Sequence, residues 1–106
     1  MTKQETILIA DDAEINRAVL RNLFEKNYNI LEAENGEQAM VLLKQYSETI
    51  AAVLLDLVMP EKDGYEVLKA MHISDHLCHV PVIVITADDS VDSKVKVFEL
   101  GASDIV

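Results

Sequence analysis

A doubly wound α/β fold, with one open parallel sheet between two layers of helices, is predicted by two observations. Short β-branched runs alternate along the chain with segments whose apolar residues recur at helical spacing, the strand-helix rhythm of a parallel sheet. Three of those runs are almost continuously apolar, as strands covered on both faces must be, whereas a strand with one wet face would alternate. The length is sufficient for this fold. The chain has 106 residues, half of them apolar; such a chain buries roughly 65% of its unfolded surface and reaches a radius of gyration of about 13 Å.

The elements follow in order. The first strand is predicted over Thr6 to Ala10 and runs into Asp11 and Asp12. The helix after it carries Ile15, Ala18, Val19 and Leu23 as its apolar stripe. The second strand covers Asn29 to Ala33. Its helix starts at Asn35, with Gln38 at capping-box spacing, and shows Ala39, Leu42, Leu43 and Tyr46 at i, i+3, i+4, i+7. The third strand, Ile50 to Leu55, runs into Asp56, and a third helix extends from Gly64 through Val67, Leu68 and Met71, its start marked by Asp63 with Glu66. The fourth strand covers Val82 to Thr86. A fourth helix carries Val91, Val95 and Phe98 and ends at Gly101 as a C-cap. Right-handed crossovers place these helices on both faces of the sheet and bring the carboxyl ends of the central strands to one crevice.

Composition removes several function classes. Nineteen acidic against nine basic side chains give a net charge of −10, and the basic residues are scattered, so no clustered face for nucleic-acid phosphates can be written. Cys78 is the only cysteine, which excludes an intramolecular disulfide and leads us to expect a cytoplasmic protein. The longest apolar runs, Ile50 to Leu55 and Val80 to Ile85, are far short of the ~20 residues that span a bilayer, and the amino-terminal residues lack a secretory signal's apolar centre. The three glycines, Gly36, Gly64 and Gly101, are too far apart for a dinucleotide-binding or Walker loop.

The predicted strand ends gather Asp11, Asp12, Asp56 and Thr86. Singly, each has a structural explanation; Asp11, for example, can cap the first helix with Glu14 as its capping-box partner. Together they need another, because carboxylates about 4 Å apart repel by roughly 4 kcal/mol per pair at an effective dielectric of 20. Either a proton is taken up or a divalent cation sits between them, and an all-oxygen acidic pocket suits Mg²⁺ or Mn²⁺.

Asp11-Asp12 after an apolar strand, Asp56 within LLDLVMPEKDG, Thr86-Ala87 after VPVIVI, and the closing GASDIV resemble the receiver domains of two-component response regulators. The resemblance covers essentially the whole chain, in the family's order and spacing. It implies the flavodoxin-like strand order 2-1-3-4-5. It also implies that Asp56 is the phosphoacceptor, a carboxylate nucleophile taking a phosphoryl group from a phosphohistidine on a histidine kinase or histidine phosphotransfer domain. Asp11, Asp12 and Asp56, with the Val58 backbone carbonyl, would hold Mg²⁺ (or Mn²⁺), and Thr86 would hydrogen-bond a phosphoryl oxygen and take part in the switch. The implied role is a phosphorylation-controlled signalling switch, not an enzyme in the ordinary sense.

Departures from the family carry further expectations. Receiver domains usually have a lysine shortly beyond the position of Val106 and then a fifth helix, so residues 1–106 are read as a receiver domain whose fifth strand is incomplete and whose fifth helix is absent. Such a chain would expose an apolar face that favours a homodimer or a swapped oligomer. Ile105 stands where the family often has an aromatic switch residue. Val58 and Asp88, two positions beyond Asp56 and Thr86, lie where the family tunes loss of the phosphoryl group; an apolar Val58 cannot orient an attacking water, so a long-lived acyl phosphate is expected.

Other readings compete. A haloacid-dehalogenase-like phosphatase wants an aspartate two residues after its nucleophile, where this chain has Val58. A receiver-like interaction module that is never phosphorylated would leave the acids and Thr86 without a purpose. A flavodoxin-like electron carrier would need a Ser/Thr/Gly-rich phosphate loop. His72, His76, Cys78 and His79 fall within eight positions, His72 and His76 at the i, i+4 spacing of helical zinc ligands; a helix end and a solvated loop explain them more simply.

Overall fold

A computed structural model describes residues 5–59, 63–85 and 91–105. Its elements are β1 (Thr6–Ala10), α1 (Glu14–Phe24), β2 (Asn29–Ala33), α2 (Gly36–Gln45), β3 (Ile50–Leu55), α3 (Gly64–His72), β4 (Val82–Val84), α4 (Val91–Glu99) and β5 (Asp104–Ile105). The strands form one parallel sheet in the order β2-β1-β3-β4-β5. This is the doubly wound order expected, and the radius of gyration is 12.9 Å. The fifth strand is two residues long, Asp104 pairing with Ile83 and Ile105 with Val84. Among the described residues no helix is long and apolar enough to cross a membrane.

Side chains alternate across the sheet, and both faces are covered, which is why the central strands read as unbroken apolar runs. Leu8, Ala10, Val53, Leu55 and Val84 pack with Leu43 of α2, Val67 and Leu68 of α3, and Val97 of α4. On the other face, Ile7, Ile9 and Leu54 meet Leu20 and Phe24 of α1, together with Tyr28, Ile83 and Ile85. Phe24 and Tyr28 meet edge to face, centroids 6.3 Å apart.

Two helices are rotated from the expectation. In α1 the stripe Ile15, Val19 and Leu23 faces outward, at 74%, 55% and 65% exposure, while Leu20, Phe24 and the charged Arg17 face the sheet. Ile15, Val19 and Leu23 lie at i, i+4, i+8 and Arg17, Leu20 and Phe24 at i, i+3, i+7, both helical spacings, so periodicity alone cannot choose between the faces. Arg17 goes inside because its guanidinium finds acceptors there. In α4, Val97 is fully buried and Val95 and Phe98 are half exposed.

The caps follow the sequence more closely. Asn35 Oδ1 accepts from the Gln38 N–H at 2.8 Å, and Gln38 Oε1 accepts in turn from the Glu34 N–H. Asp63 Oδ1 accepts from the Glu66 N–H at 3.0 Å. Gly101 ends α4 with φ of +102°. The Ala102 N–H reaches the Val97 carbonyl and the Gly101 N–H the Phe98 carbonyl, the paired bonds of a Schellman motif.

Candidate functional site

The sheet itself places the acids. The Asp11 N–H donates to the Ala33 carbonyl at 3.0 Å and the Asp56 N–H to the Ala10 carbonyl at 2.9 Å. Both residues thus extend the inter-strand ladder by one step beyond adjacent strands, and their side chains emerge at the same edge. One carboxylate oxygen from each of Asp11, Asp12 and Asp56 lies within 4.8 Å of the others. Asp11 is buried, Asp56 half-buried and Asp12 exposed.

Asp11 is held from several sides. Its Oδ1 accepts from the Ala13 N–H at 2.9 Å and its Oδ2 from Asn16 Nδ2 at 3.3 Å. It does not cap α1 as its spacing from Glu14 suggests: the residue at the cap is Ala13, whose side chain can accept nothing. The bond to Ala13 instead closes a turn two residues long, leaving the carboxylate at the crevice. The Asp11 carbonyl accepts from Arg17 Nη1 at 2.8 Å. The sequence signal for Arg17 is weak, since an arginine on a surface helix is ordinary and only burial of this one marks it.

The ionisation of Asp56 is perturbed. Burial pushes its carboxyl above the usual carboxylate range, and the neighbouring charges of Asp11 and Asp12 add to the shift; N–H groups of Val58 and Leu57 oppose it. The Val58 N–H lies 3.3 Å from Asp56 Oδ1. The Val58 side chain is 72% exposed. Close by, α3 begins directly against this segment: the Gly64 N–H donates to the Leu57 carbonyl at 3.0 Å. A Cβ at Gly64 would collide with the Asp56 carbonyl and sit 2.6 Å from Leu57 Cα.

The donor set fits a hard divalent cation. All three side chains offer oxygen, and their separation allows one ion to be ligated directly by some and through water by others. Among the described residues, no other group of three or more His, Cys, Asp or Glu side chains comes close enough to share an ion. His72, His76, Cys78 and His79 are therefore not drawn together: all four are exposed, and His72 stands against Gly101. Thr86 and Asp88 lie outside the described residues, as does the side chain of Ile105. A cavity of about 520 Å³ is at the opposite end of the sheet beside Glu5, Glu48 and His79, and shares no residue with the acids.

Comparison with known proteins agrees with this picture. The family model described as response regulator receiver domain matches residues 7–106. The chain is 42% identical to a probable cyclic di-GMP phosphodiesterase of Vibrio cholerae, over 97% of this chain and 23% of that protein. It is 38% identical to transcriptional regulatory protein CpxR of Escherichia coli, over 92% of this chain and 40% of that protein. It thus spans well under half of these relatives. Among solved structures it resembles a chain of the CheX-CheY-BeF3-Mg²⁺ complex of Borrelia burgdorferi, with TM-score 0.90, 27% identity and coverage of 98% of this chain and 78% of that one. It also resembles the Mn²⁺-bound response regulator Rcp1, with TM-score 0.87, 25% identity and coverage of 96% and 79%. The parallel sheet in this order and the acids at its carboxyl edge have their explanation in that match: the chain belongs to the response regulator receiver domains, the phosphorylation-type signalling domains of two-component systems.

Proposed function

We propose that Asp56 accepts a phosphoryl group from a phosphohistidine in a divalent-metal-dependent reaction, and that Asp11 and Asp12 are the other metal-ligating side chains. The supporting observation is the gathering of three carboxylates within 4.8 Å, with the acceptor candidate between burial on one side and two negative charges on the other. In the transfer, the phosphorus–nitrogen bond of the donor breaks as a bond forms from an Asp56 carboxylate oxygen to phosphorus. The histidine nitrogen keeps the electron pair. Such a transition state is loose and in line, with charge spread on the phosphoryl oxygens, so rate comes from placement and charge neutralisation. A bound Mg²⁺ or Mn²⁺ supplies that neutralisation. The protein contributes a pinned nucleophile: the ladder bond at the Asp56 N–H and the Val58 N–H on Oδ1 hold the carboxylate at the edge of the sheet. The Val58 carbonyl belongs to the proposed metal ligands, and Thr86 to the groups that bind the phosphoryl oxygens.

The donor is a histidine kinase or histidine phosphotransfer domain, and the setting is the cytoplasm. A small phosphodonor tests the chemistry without the partner. Incubation with acetyl phosphate and Mg²⁺ is expected to give one base-labile phosphoryl adduct by intact mass, and none in EDTA. Absence of the adduct in Mg²⁺ overturns the proposal and leaves the interaction-module reading in its place.

Lifetime is a separate expectation. The Val58 side chain stands exposed two residues from the acceptor and has no group to orient an attacking water. Val58→Asn is therefore expected to speed loss of the phosphoryl group by up to about tenfold, the rate equivalent of the roughly 1.4 kcal/mol that one hydrogen bond orienting the attacking water can supply. An unchanged decay rate, followed by mass after removal of donor, rejects that assignment.

A further inference from the structure

Resting on the phosphoacceptor reading, we infer that Arg17 is a positioning residue of the acidic cluster, setting the geometry in which Asp11 and Asp12 meet a divalent cation. Arg17 is on α1, yet it is only 7% exposed, an unusual place for a guanidinium. Its Nη1 donates to the Asp11 carbonyl at 2.8 Å, its Nε to Glu32 Oε1 at 3.2 Å, and its Nη2 lies 3.8 Å from Glu34. Arg21, one turn later, also donates to Glu32, at 2.8 Å. The fork of Arg17 thus joins three pieces of chain: the loop after β1, helix α1, and the end of β2.

The carbonyl it holds is the one that matters for the site. The peptide between Asp11 and Asp12 connects the two Cα atoms that carry the carboxylates. Fixing the direction of its carbonyl fixes ψ of Asp11 and φ of Asp12 together, and so the angle between the two side chains. Asp11 has other restraints, from Ala13 and Asn16. Asp12 is exposed, and its direction depends on that peptide. Arginine suits the task better than lysine, because a rigid fork can engage the carbonyl and Glu32 simultaneously, whereas an ammonium is a single point on a flexible stem. Its positive charge also stands beside the acids without neutralising any of their carboxylates.

Groups that orient metal ligands from behind commonly change metal affinity by 10–100-fold when removed. Mn²⁺ binding to the 106-residue chain, with free Mn²⁺ followed by electron paramagnetic resonance, reads this directly. It is measured at a temperature where circular dichroism finds each protein folded. Arg17→Met is expected to raise the Mn²⁺ dissociation constant about tenfold or more, and Arg17→Lys to recover only part of that loss. Phosphorylation from acetyl phosphate by Arg17→Met should return toward the wild-type rate as Mg²⁺ is raised, because the nucleophile is untouched. Unchanged Mn²⁺ affinity in folded Arg17→Met, or complete recovery in Arg17→Lys, overturns the inference. If Arg17→Met does not fold, Arg17→Lys decides alone, and wild-type affinity in it is the overturning result. Wild-type protein that binds no Mn²⁺ would instead defeat the phosphoacceptor reading itself.

Discussion

Asp56→Asn is expected to take up no phosphoryl group under conditions that modify the wild type, and in metal-free buffer at neutral pH to melt at a higher temperature than the wild type. The first effect is complete, because an amide of nearly the same shape has no carboxylate oxygen to attack phosphorus. The second follows from the raised ionisation of Asp56, caused first by burial and then by Asp11 and Asp12. At neutral pH the folded chain carries this carboxylate charged, against burial and two like charges, whereas the unfolded chain carries it in water. Asparagine removes that penalty. As pH falls through the raised folded value the native state takes up a proton and the penalty fades, and below the ordinary carboxylate value of about 4 both states are neutral. The difference in melting temperature should therefore be widest at neutral pH and close toward acid. Thermal melts in EDTA across that range check it; a difference that persists at acid pH, or a less stable variant at neutral pH, contradicts the electrostatic account. Mg²⁺ should stabilise the wild type more than the variant, since a ligand that binds only the native state adds stability that grows with the logarithm of its affinity.

The sheet was legible because its signals were redundant. Thr6 to Ala10 and Ile50 to Leu55 are apolar on both faces for one reason, burial between helix layers, and the same burial fixes their central place in the order. The acids were legible because each closes such a run: a strand that ends inside a protein must present its next residue at the sheet's edge. Helix orientation was not legible where two stripes competed. In α1 the outward Ile15, Val19 and Leu23 are as periodic as the inward Arg17, Leu20 and Phe24. What decides is tertiary: Arg17 has a carbonyl and two carboxylates to meet, and its aliphatic stem can lie in the interface. No window along the chain contains that information, because Glu32 and the Asp11 carbonyl reach Arg17 only through the pairing of β1 with β2. Gly64 is the intermediate case. The sequence marks it as the start of a helix, but its necessity comes from a contact with β3's exit that only the fold creates.

That contact makes Gly64→Ala the substitution with the largest expected effect on the fold and the site at once. A methyl group there meets main chain on both counts, the Asp56 carbonyl and Leu57 Cα at 2.6 Å, so no side chain can rotate aside to admit it. The segment it strikes is not free to retreat. Asp56 is tied to Ala10 through its N–H, and the Leu57 carbonyl to Gly64 itself. One of two things must yield. If α3 withdraws, the Gly64 bond to Leu57 breaks and Val67, Leu68 and Met71 loosen from the core they fill. If the Asp56–Leu57 peptide moves, the acceptor carboxylate leaves its register with Asp11 and Asp12. Overpacking of this kind costs about 1–3 kcal/mol when side chains absorb it, and a clash of backbone with backbone belongs at the upper end or beyond. A domain stable by only about 5–15 kcal/mol would show that as a clear fall in denaturation midpoint. Gly101→Ala supplies the control. Its φ of +102° also penalises a side chain, but the added methyl meets His72, remote from the acids and at the far end of α3. Both variants should lose stability in urea denaturation; only Gly64→Ala should also lose Mn²⁺ affinity and phosphorylation in the fraction that remains folded. Equal Mn²⁺ affinity in the two folded variants would mean that α3 alone gives way, and that the position of Asp56 is set by the strands without help from the helix that abuts it.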